Sequence, residues 1–64
     1  MTKEDFEKLK EAFDSGISME FGDDSKVGNV LYFEDSEIWI MNYTTEIEEY
    51  VEYDNVSVDC FISL

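Results

Sequence analysis

Two clusters of carboxylates in the second half of the chain are the residues best suited to chemistry. The first cluster contains Glu34, Asp35, Ser36 and Glu37, and the second contains Glu46, Glu48, Glu49 and Glu52. The apolar residues 38–41 separate the two clusters. Paired carboxylates act as acid and base in glycosidases, but a chain of 64 residues has little room for both a substrate cleft and a core. We therefore expect no enzymatic activity, and we interpret the alternation of acid, apolar segment and acid as an interface.

Other catalytic and metal-binding chemistry is limited by composition. The chain has no His, no Arg and a single cysteine, Cys60, so Ser-His, Cys-His and His-metal sites are excluded. Cys60 lies in an apolar strand pattern, which predicts a buried small hydrophobe in a reducing cytoplasm. Asp23 and Asp24 in a turn raise the question of calcium, but the ligand spacing of an EF-hand is missing. We expect neither a metal nor a cofactor.

The formal net charge is −13, and it is distributed unevenly. Residues 1–13 hold three lysines against four acids, a net of −1, whereas residues 14–64 hold one lysine against thirteen acids, a net of −12. Repulsion of this size opposes folding and is tolerated for solubility, for halophily or for a positively charged partner. A halophile would spread acids over every face, so the asymmetry favours a basic protein as partner. Four lysines and no arginine argue against binding to nucleic acid or to an anionic membrane.

No signal peptide and no apolar run of the roughly 18 to 20 residues that a membrane span needs is visible, so a cytoplasmic location is expected. The composition indicates one folded domain over residues 1–64, because 16% of the residues are aromatic. The sequence leaves open whether the chain forms a homodimer.

The fold class expected from the patterns is α+β, with an N-terminal helix packed on a small antiparallel sheet of about four strands and a possible second short helix. Thr2 is placed to cap a helix over Lys3–Asp14 that Gly16 would stop, with an apolar stripe that packs on the sheet. Alternating patterns predict strands over residues 17–21, 27–33, 38–43 and 56–63, the second of them central.

Residues 44–53 fit both the helical repeat of 3.6 residues and the two-residue alternation of a strand. As a helix, Thr45 and Glu48 form a capping box and Ile47, Tyr50 and Val51 share one face; as a strand, Glu49 intrudes on the apolar face between Ile47 and Val51. The helix fits better.

Dense carboxylates can imitate the backbone of a nucleic acid. Carboxylates at i and i+2 on a strand are about 6.6 Å apart, and those at i and i+3 or i+4 on a helix project close together. The two clusters would then present two acidic patches around one apolar strand, a surface that a cationic DNA groove would accept. A solvated acidic face without a partner explains the same residues, and the sequence does not decide between the two.

In residues 34–51 the sequence resembles the phage-encoded uracil-DNA glycosylase inhibitors, which have an acidic Glu-Ser-Ile strand opening, an aliphatic run and a Glu-Glu-rich amphipathic helix. Here Asp35-Ser36-Glu37-Ile38 leads into Trp39-Ile40-Met41, and Glu46-Ile47-Glu48-Glu49-Tyr50-Val51 follows. The chain departs from the pattern in that Glu37 stands between Ser and Ile.

The resemblance implies a protein that occupies the DNA groove of the glycosylase in the host cytoplasm. Asp35, Ser36 and Glu37 would replace phosphate contacts, and an apolar pocket would receive the enzyme's DNA-intercalating side chain. Met41, Ile47, Tyr50 and Val51 would line that pocket. The expected partner-binding residues are Glu34, Asp35, Ser36, Glu37, Ile38, Met41, Glu46, Ile47, Glu48, Glu49, Tyr50, Val51 and Glu52.

The function expected from the sequence is therefore a DNA-mimic inhibitor of a DNA-processing enzyme, with uracil-DNA glycosylase as first choice. The alternative is an acidic scaffold or assembly module that binds a basic protein without blocking DNA.

Overall fold

The computed structural model describes residues 1–64 as one helix packed on a five-stranded antiparallel sheet. The helix is α1 (Lys3–Asp14), and the strands are β1 (Met19–Gly22), β2 (Val27–Glu34), β3 (Glu37–Asn42), β4 (Glu48–Glu52) and β5 (Phe61–Ser63). The strand order is β4-β3-β2-β1-β5. The α+β prediction is confirmed, with five strands instead of about four. The helix is neither long nor apolar enough to cross a membrane.

Helix α1 has the bounds that its sequence predicts. The Thr2 hydroxyl accepts a hydrogen bond from the backbone N–H of Asp5, 3.1 Å away, and so caps the first turn. After Asp14 the chain leaves the helix through Gly16, whose φ of +105° lies in the left-handed region that glycine adopts at little steric cost. The apolar stripe of α1 packs on the sheet as predicted, with Phe6 buried.

The core lies between α1 and one face of the sheet. Phe21, Ile38 and Ile40 are fully buried there. Phe33 bridges the helix and the sheet, with its ring centroid 5.6 Å from that of Phe6 and 5.4 Å from that of Phe13. Because the chain has a single α-helix, the opposite face of the sheet has no second layer, and we call it the open face.

Strand β2 is central, as predicted, but its alternation is interrupted by an irregularity in the register. Val30 pairs with Ile40 and Tyr32 pairs with Trp39, so that Leu31 has no opposite residue on β3. A strict alternation would place Val30 and Tyr32 on the same face. The bulge instead keeps Val30 in the core and places Tyr32 on the open face beside Trp39.

The predicted helix over residues 44–53 is wrong, because this segment forms a loop followed by strand β4, which pairs with β3. In that register Glu49 lies opposite the buried Ile40, on the helix side of the sheet. Its carboxylate is satisfied there, since it accepts hydrogen bonds from Lys26 Nζ at 3.1 Å and from Asn42 Nδ2 at 2.9 Å. These bonds remove the objection to a strand, and β4 packs Val51 against the core.

The ends of two further predicted strands differ from the structure. The first strand begins at Met19, so Ile17 lies outside it. Most of the predicted strand 56–63 is irregular: it includes a 3₁₀ turn at Val58–Cys60, which the hydroxyl of Ser57 caps, and only its last part, β5, pairs with β1. Cys60 is half-buried and packs against the core as a free thiol.

Candidate partner-binding surface

An aromatic strip crosses the open face of the sheet. Tyr32, Trp39 and Tyr50 come from β2, β3 and β4 and are cross-strand neighbours. The ring centroids of Tyr32 and Trp39 are 5.7 Å apart with an interplanar angle of 16°, and those of Trp39 and Tyr50 are 5.2 Å apart with an angle of 41°. Tyr32 is 40% exposed and Tyr50 is 47% exposed. Three contacting aromatic side chains therefore lie at the surface, where the helix does not cover them.

A row of three carboxylates borders one side of the aromatic strip. Glu34 lies opposite Glu37, and Glu37 lies opposite Glu52, so the row crosses β2, β3 and β4. Glu37 Oε1 accepts a hydrogen bond from Trp39 Nε1 at 3.1 Å, and Glu52 Oε2 accepts one from Ser36 Oγ at 2.6 Å. Like charges directly opposite each other destabilise a sheet. The two hydrogen bonds hold Glu37 and Glu52 in place, but no lysine compensates the repulsion within the row, which makes the row a candidate for function.

The turn that joins β2 to β3 brings the row together. Only Asp35 and Ser36 separate Glu34 from Glu37, and Asp35 has a φ of +52°. Aspartate tolerates this left-handed conformation better than most residues. The tight turn is therefore a local property of the sequence.

Further carboxylates lie on the other side of the aromatic strip. Glu48 pairs with Met41 there, and Glu20 accepts a hydrogen bond from the hydroxyl of Tyr43 at 2.9 Å. This hydrogen bond, together with desolvation and the charge of Glu20, raises the pKa of the Tyr43 phenol. The pKa of the Tyr32 phenol is also raised, first by desolvation and then by the charges of Glu48, Glu34 and Glu37. Glu48 lies on one side of the strip, and Glu34 and Glu37 lie on the other. The carboxylates on both sides of the strip therefore add to the effect of desolvation on the pKa of Tyr32.

No lysine lies on the open face. Lys3, Lys8 and Lys10 belong to α1, on the other side of the sheet. Lys26 Nζ is 3.1 Å from Glu49 Oε1, which is also on the helix side. The open face is therefore purely anionic at its charged positions.

The structure divides the partner-binding residues predicted from the sequence among three places. On the open face are Glu34, Glu37, Met41, Glu48, Tyr50 and Glu52. In the connections are Asp35, Ser36, Glu46 and Ile47. On the helix side are Ile38, Glu49 and Val51. Ile38 is fully buried, so its side chain is not accessible to a partner.

The apolar pocket implied by the resemblance is not assembled. Adjacent residues of a strand point to opposite faces, so Tyr50 lies on the open face and Val51 packs against the core. Ile47 is in the preceding loop and is 60% exposed. A helix would have brought the three together, and the strand separates them.

Sequence reasoning missed Tyr32 and Trp39 as members of the surface. The alternation of β3 did place Trp39 and Met41 on one face, and a single predicted helix can cover only one face of a sheet. Together these two observations could have identified Trp39 as a surface residue. No sequence pattern placed Tyr32 on this face, because the bulge at Leu31 determines which face of the sheet its side chain occupies.

The turn between β1 and β2 is explained by its own hydrogen bonds. Asp23 Oδ1 accepts hydrogen bonds from the backbone N–H groups of Ser25 and Lys26 and from the Ser25 hydroxyl, at 2.8 to 2.9 Å. Desolvation opposes ionisation of Asp23, but these bonds outweigh it and lower its pKa. No group of three or more carboxylates and thiols is placed to hold a metal ion.

Comparisons with protein families, with curated proteins and with solved structures find no match for this chain.

Proposed function

We propose that this chain is a protein-binding module, without catalytic activity, whose open face binds a cationic surface of a cytoplasmic partner. The partner surface that fits best is the DNA-binding groove of a DNA-processing enzyme, so that the chain acts as a DNA-mimic inhibitor. The observation that carries the proposal is the distribution of charge: carboxylates border the aromatic strip on both sides, and no lysine lies among them.

The carboxylate row supports a partner because its members repel one another in the free chain. A cationic surface that approaches the row relieves this repulsion and gains favourable Coulomb energy. Charges at the edge of an interface also steer the encounter, which raises the association rate at low salt. A solvated face without a partner would keep the repulsion and gain nothing from it.

The spacing of the charges supports mimicry of DNA. Neighbouring strands are about 4.8 Å apart, so Glu34, Glu37 and Glu52 follow one another across the sheet at a backbone spacing of the same order as the axial advance of phosphates, about 3.4 Å per nucleotide. Glu48 and Glu52 are four positions apart on β4, or about 13 Å. That distance is close to the width of the DNA major groove, about 12 Å.

The first test is uracil excision, since uracil-DNA glycosylase is the target that the sequence resemblance implies. We expect a stoichiometric amount of the chain to stop excision, because a base-flipping enzyme must first seat the DNA backbone in a cationic groove. Replacing Glu37 and Glu52 with Gln should weaken inhibition, mainly through a slower and less salt-dependent association.

A matched control removes the same charge elsewhere. Glu7 and Glu11 are exposed on α1 and form no ion pair, so replacing both with Gln should leave inhibition unchanged. If excess chain leaves excision untouched, glycosylase is not the target. If the helix variant weakens inhibition as much as the open-face variant, net charge and not the open face carries the effect.

A second candidate function is favoured by the aromatic strip, because imitation of a phosphate backbone alone does not need exposed rings. This candidate is an acidic scaffold or assembly module that binds a basic protein without blocking DNA. Competition separates the two: duplex DNA should displace a DNA mimic from its partner and should leave a scaffold bound.

A further inference from the structure

We propose that the aromatic strip and the neighbouring Glu37–Glu52 pair form a binding site for an arginine side chain of the partner, and that this site selects arginine over lysine. The inference deepens the proposed function and rests on it, since it names the chemical group by which a cationic partner is recognised.

The aromatic strip offers a cation the surface it needs. A guanidinium within about 6 Å of an aromatic centroid is attracted by the ring, and tryptophan gives the strongest attraction. Trp39 lies between Tyr32 and Tyr50, with ring centroids 5.7 and 5.2 Å away. A guanidinium over an exposed ring of Tyr32 or Tyr50 would therefore also lie beside Trp39.

The carboxylates beside the strip have free acceptor atoms. Glu37 Oε1 is held by the indole N–H of Trp39, and Glu52 Oε2 is held by the hydroxyl of Ser36. The second oxygen of each carboxylate, Glu37 Oε2 and Glu52 Oε1, accepts no hydrogen bond from the chain. Two anchored carboxylates on neighbouring strands thus present two free acceptors, and the Glu37 carboxylate, which carries one of them, is bonded to the indole.

Arginine fits this arrangement better than lysine does. Its planar guanidinium stacks on rings and carries five N–H donors in a rigid fork, so it can contact the strip and both free oxygens together. The lysine ammonium is compact and strongly hydrated, and loses more water when it approaches a ring. Nucleobases also stack on aromatic residues, but the phosphates of a nucleic acid would be repelled by a chain with a net charge of −13.

The experiment compares nona-arginine with nona-lysine, which carry the same charge. Binding is measured by calorimetry at fixed ionic strength and by the fluorescence of Trp39, the only tryptophan in the chain. We expect nona-arginine to bind roughly twofold to fivefold more tightly, the range of one cation–π contact at an exposed site. We also expect it to change the Trp39 emission more than nona-lysine does.

Two tyrosine variants make the comparison specific. Tyr50 and Tyr43 are both 47% exposed, but only Tyr50 belongs to the aromatic strip. Tyr50→Leu should remove most of the preference for arginine, whereas Tyr43→Leu should leave it, with the fold of each variant checked by circular dichroism. Adding Glu37→Gln and Glu52→Gln to the parent should also reduce the preference.

The outcomes separate this inference from the proposed function. Equal affinity for the two peptides, or a preference that Tyr50→Leu does not change, overturns the arginine site while leaving the proposed function standing. Failure of both peptides to bind counts against the arginine site and against a cationic partner together. Binding of a single-stranded oligothymidine to the strip, with a change in Trp39 emission, would overturn the arginine site in favour of nucleobase stacking.

Discussion

A single methyl group at Gly28 should destabilise the central pair of strands. A Cβ atom built on Gly28 would lie 2.7 Å from the carbonyl carbon of Met41 and closer still to its oxygen, although real Cβ atoms essentially never approach within 3.0 Å. To admit it, β2 and β3 must separate by roughly 1 Å, which exceeds the tolerance of a hydrogen bond. The bond from Tyr43 N to Val27 O, now 2.9 Å, would be the first to break.

The expected loss is a large share of the stability of this domain. Overpacking of this kind costs about 1–3 kcal/mol, and a lost backbone hydrogen bond adds about 1 kcal/mol. The free energy of unfolding of a 64-residue domain is on the order of 3–10 kcal/mol. Gly28→Ala should therefore remove about 2–4 kcal/mol.

The assay is urea unfolding followed by Trp39 fluorescence and by far-ultraviolet circular dichroism. Gly22→Ala is the matched control, because a Cβ there would meet only a methyl group of Val27 at 3.7 Å. That variant should be stabilised by about 0.4–1 kcal/mol, since alanine restricts the unfolded chain more than glycine does. If Gly28→Ala unfolds at the same urea concentration as Gly22→Ala, then β2 and β3 do not approach each other at Gly28 as closely as in this structure.

Three further predictions concern side chains around β3 and β4. The hydrogen bond from Lys26, then that from Asn42, lowers the pKa of Glu49, so Glu49→Gln should reduce stability at pH 7. The ionised Glu49 carboxylate contributes fully to the free energy of unfolding above its ordinary pKa of 4.5, and this contribution is lost as the pH falls through the lower pKa of the folded state. The urea midpoints of the parent and of Glu49→Gln should therefore converge in acid. Asn42→Ala should cost about 2 kcal/mol by the same assay, because the buried amide oxygen accepts from two backbone N–H groups of the following loop; an unchanged midpoint would contradict this role. In an ultraviolet titration, Glu20→Gln should return the phenol of Tyr43 toward its ordinary pKa of 10.0, and an unchanged curve would show that the hydrogen bond is absent in solution.

Elements with local signals could be predicted from the sequence. Helix α1 has its cap, its apolar stripe and its stop within 16 residues, so the pattern and the structure agree at both ends. Strand β3 has a clean alternation, which correctly placed Ile38 and Ile40 on one face and Trp39 on the other.

Elements that depend on distant partners could not be predicted in this way. The choice between helix and strand for β4 depended on Glu49, whose charge is compensated by Lys26, 23 residues away in the sequence. The open face depends on the bulge at Leu31 and on the strand order, which together bring Tyr32, Trp39 and Tyr50 into contact. A local pattern contains neither the ion pair nor the register.

Strand β4 is also an edge of the sheet, and this position has a consequence for aggregation. The outer backbone N–H and C=O groups of an edge strand invite pairing with another chain, which can propagate into fibrils. Three of the five residues of β4 are glutamates, Glu48, Glu49 and Glu52, so a second copy added along this edge would bring carboxylates against carboxylates. Neutralising Glu48 and Glu52 would therefore remove a barrier to sheet extension, and the chain would become prone to aggregate through the same strand that borders its open face.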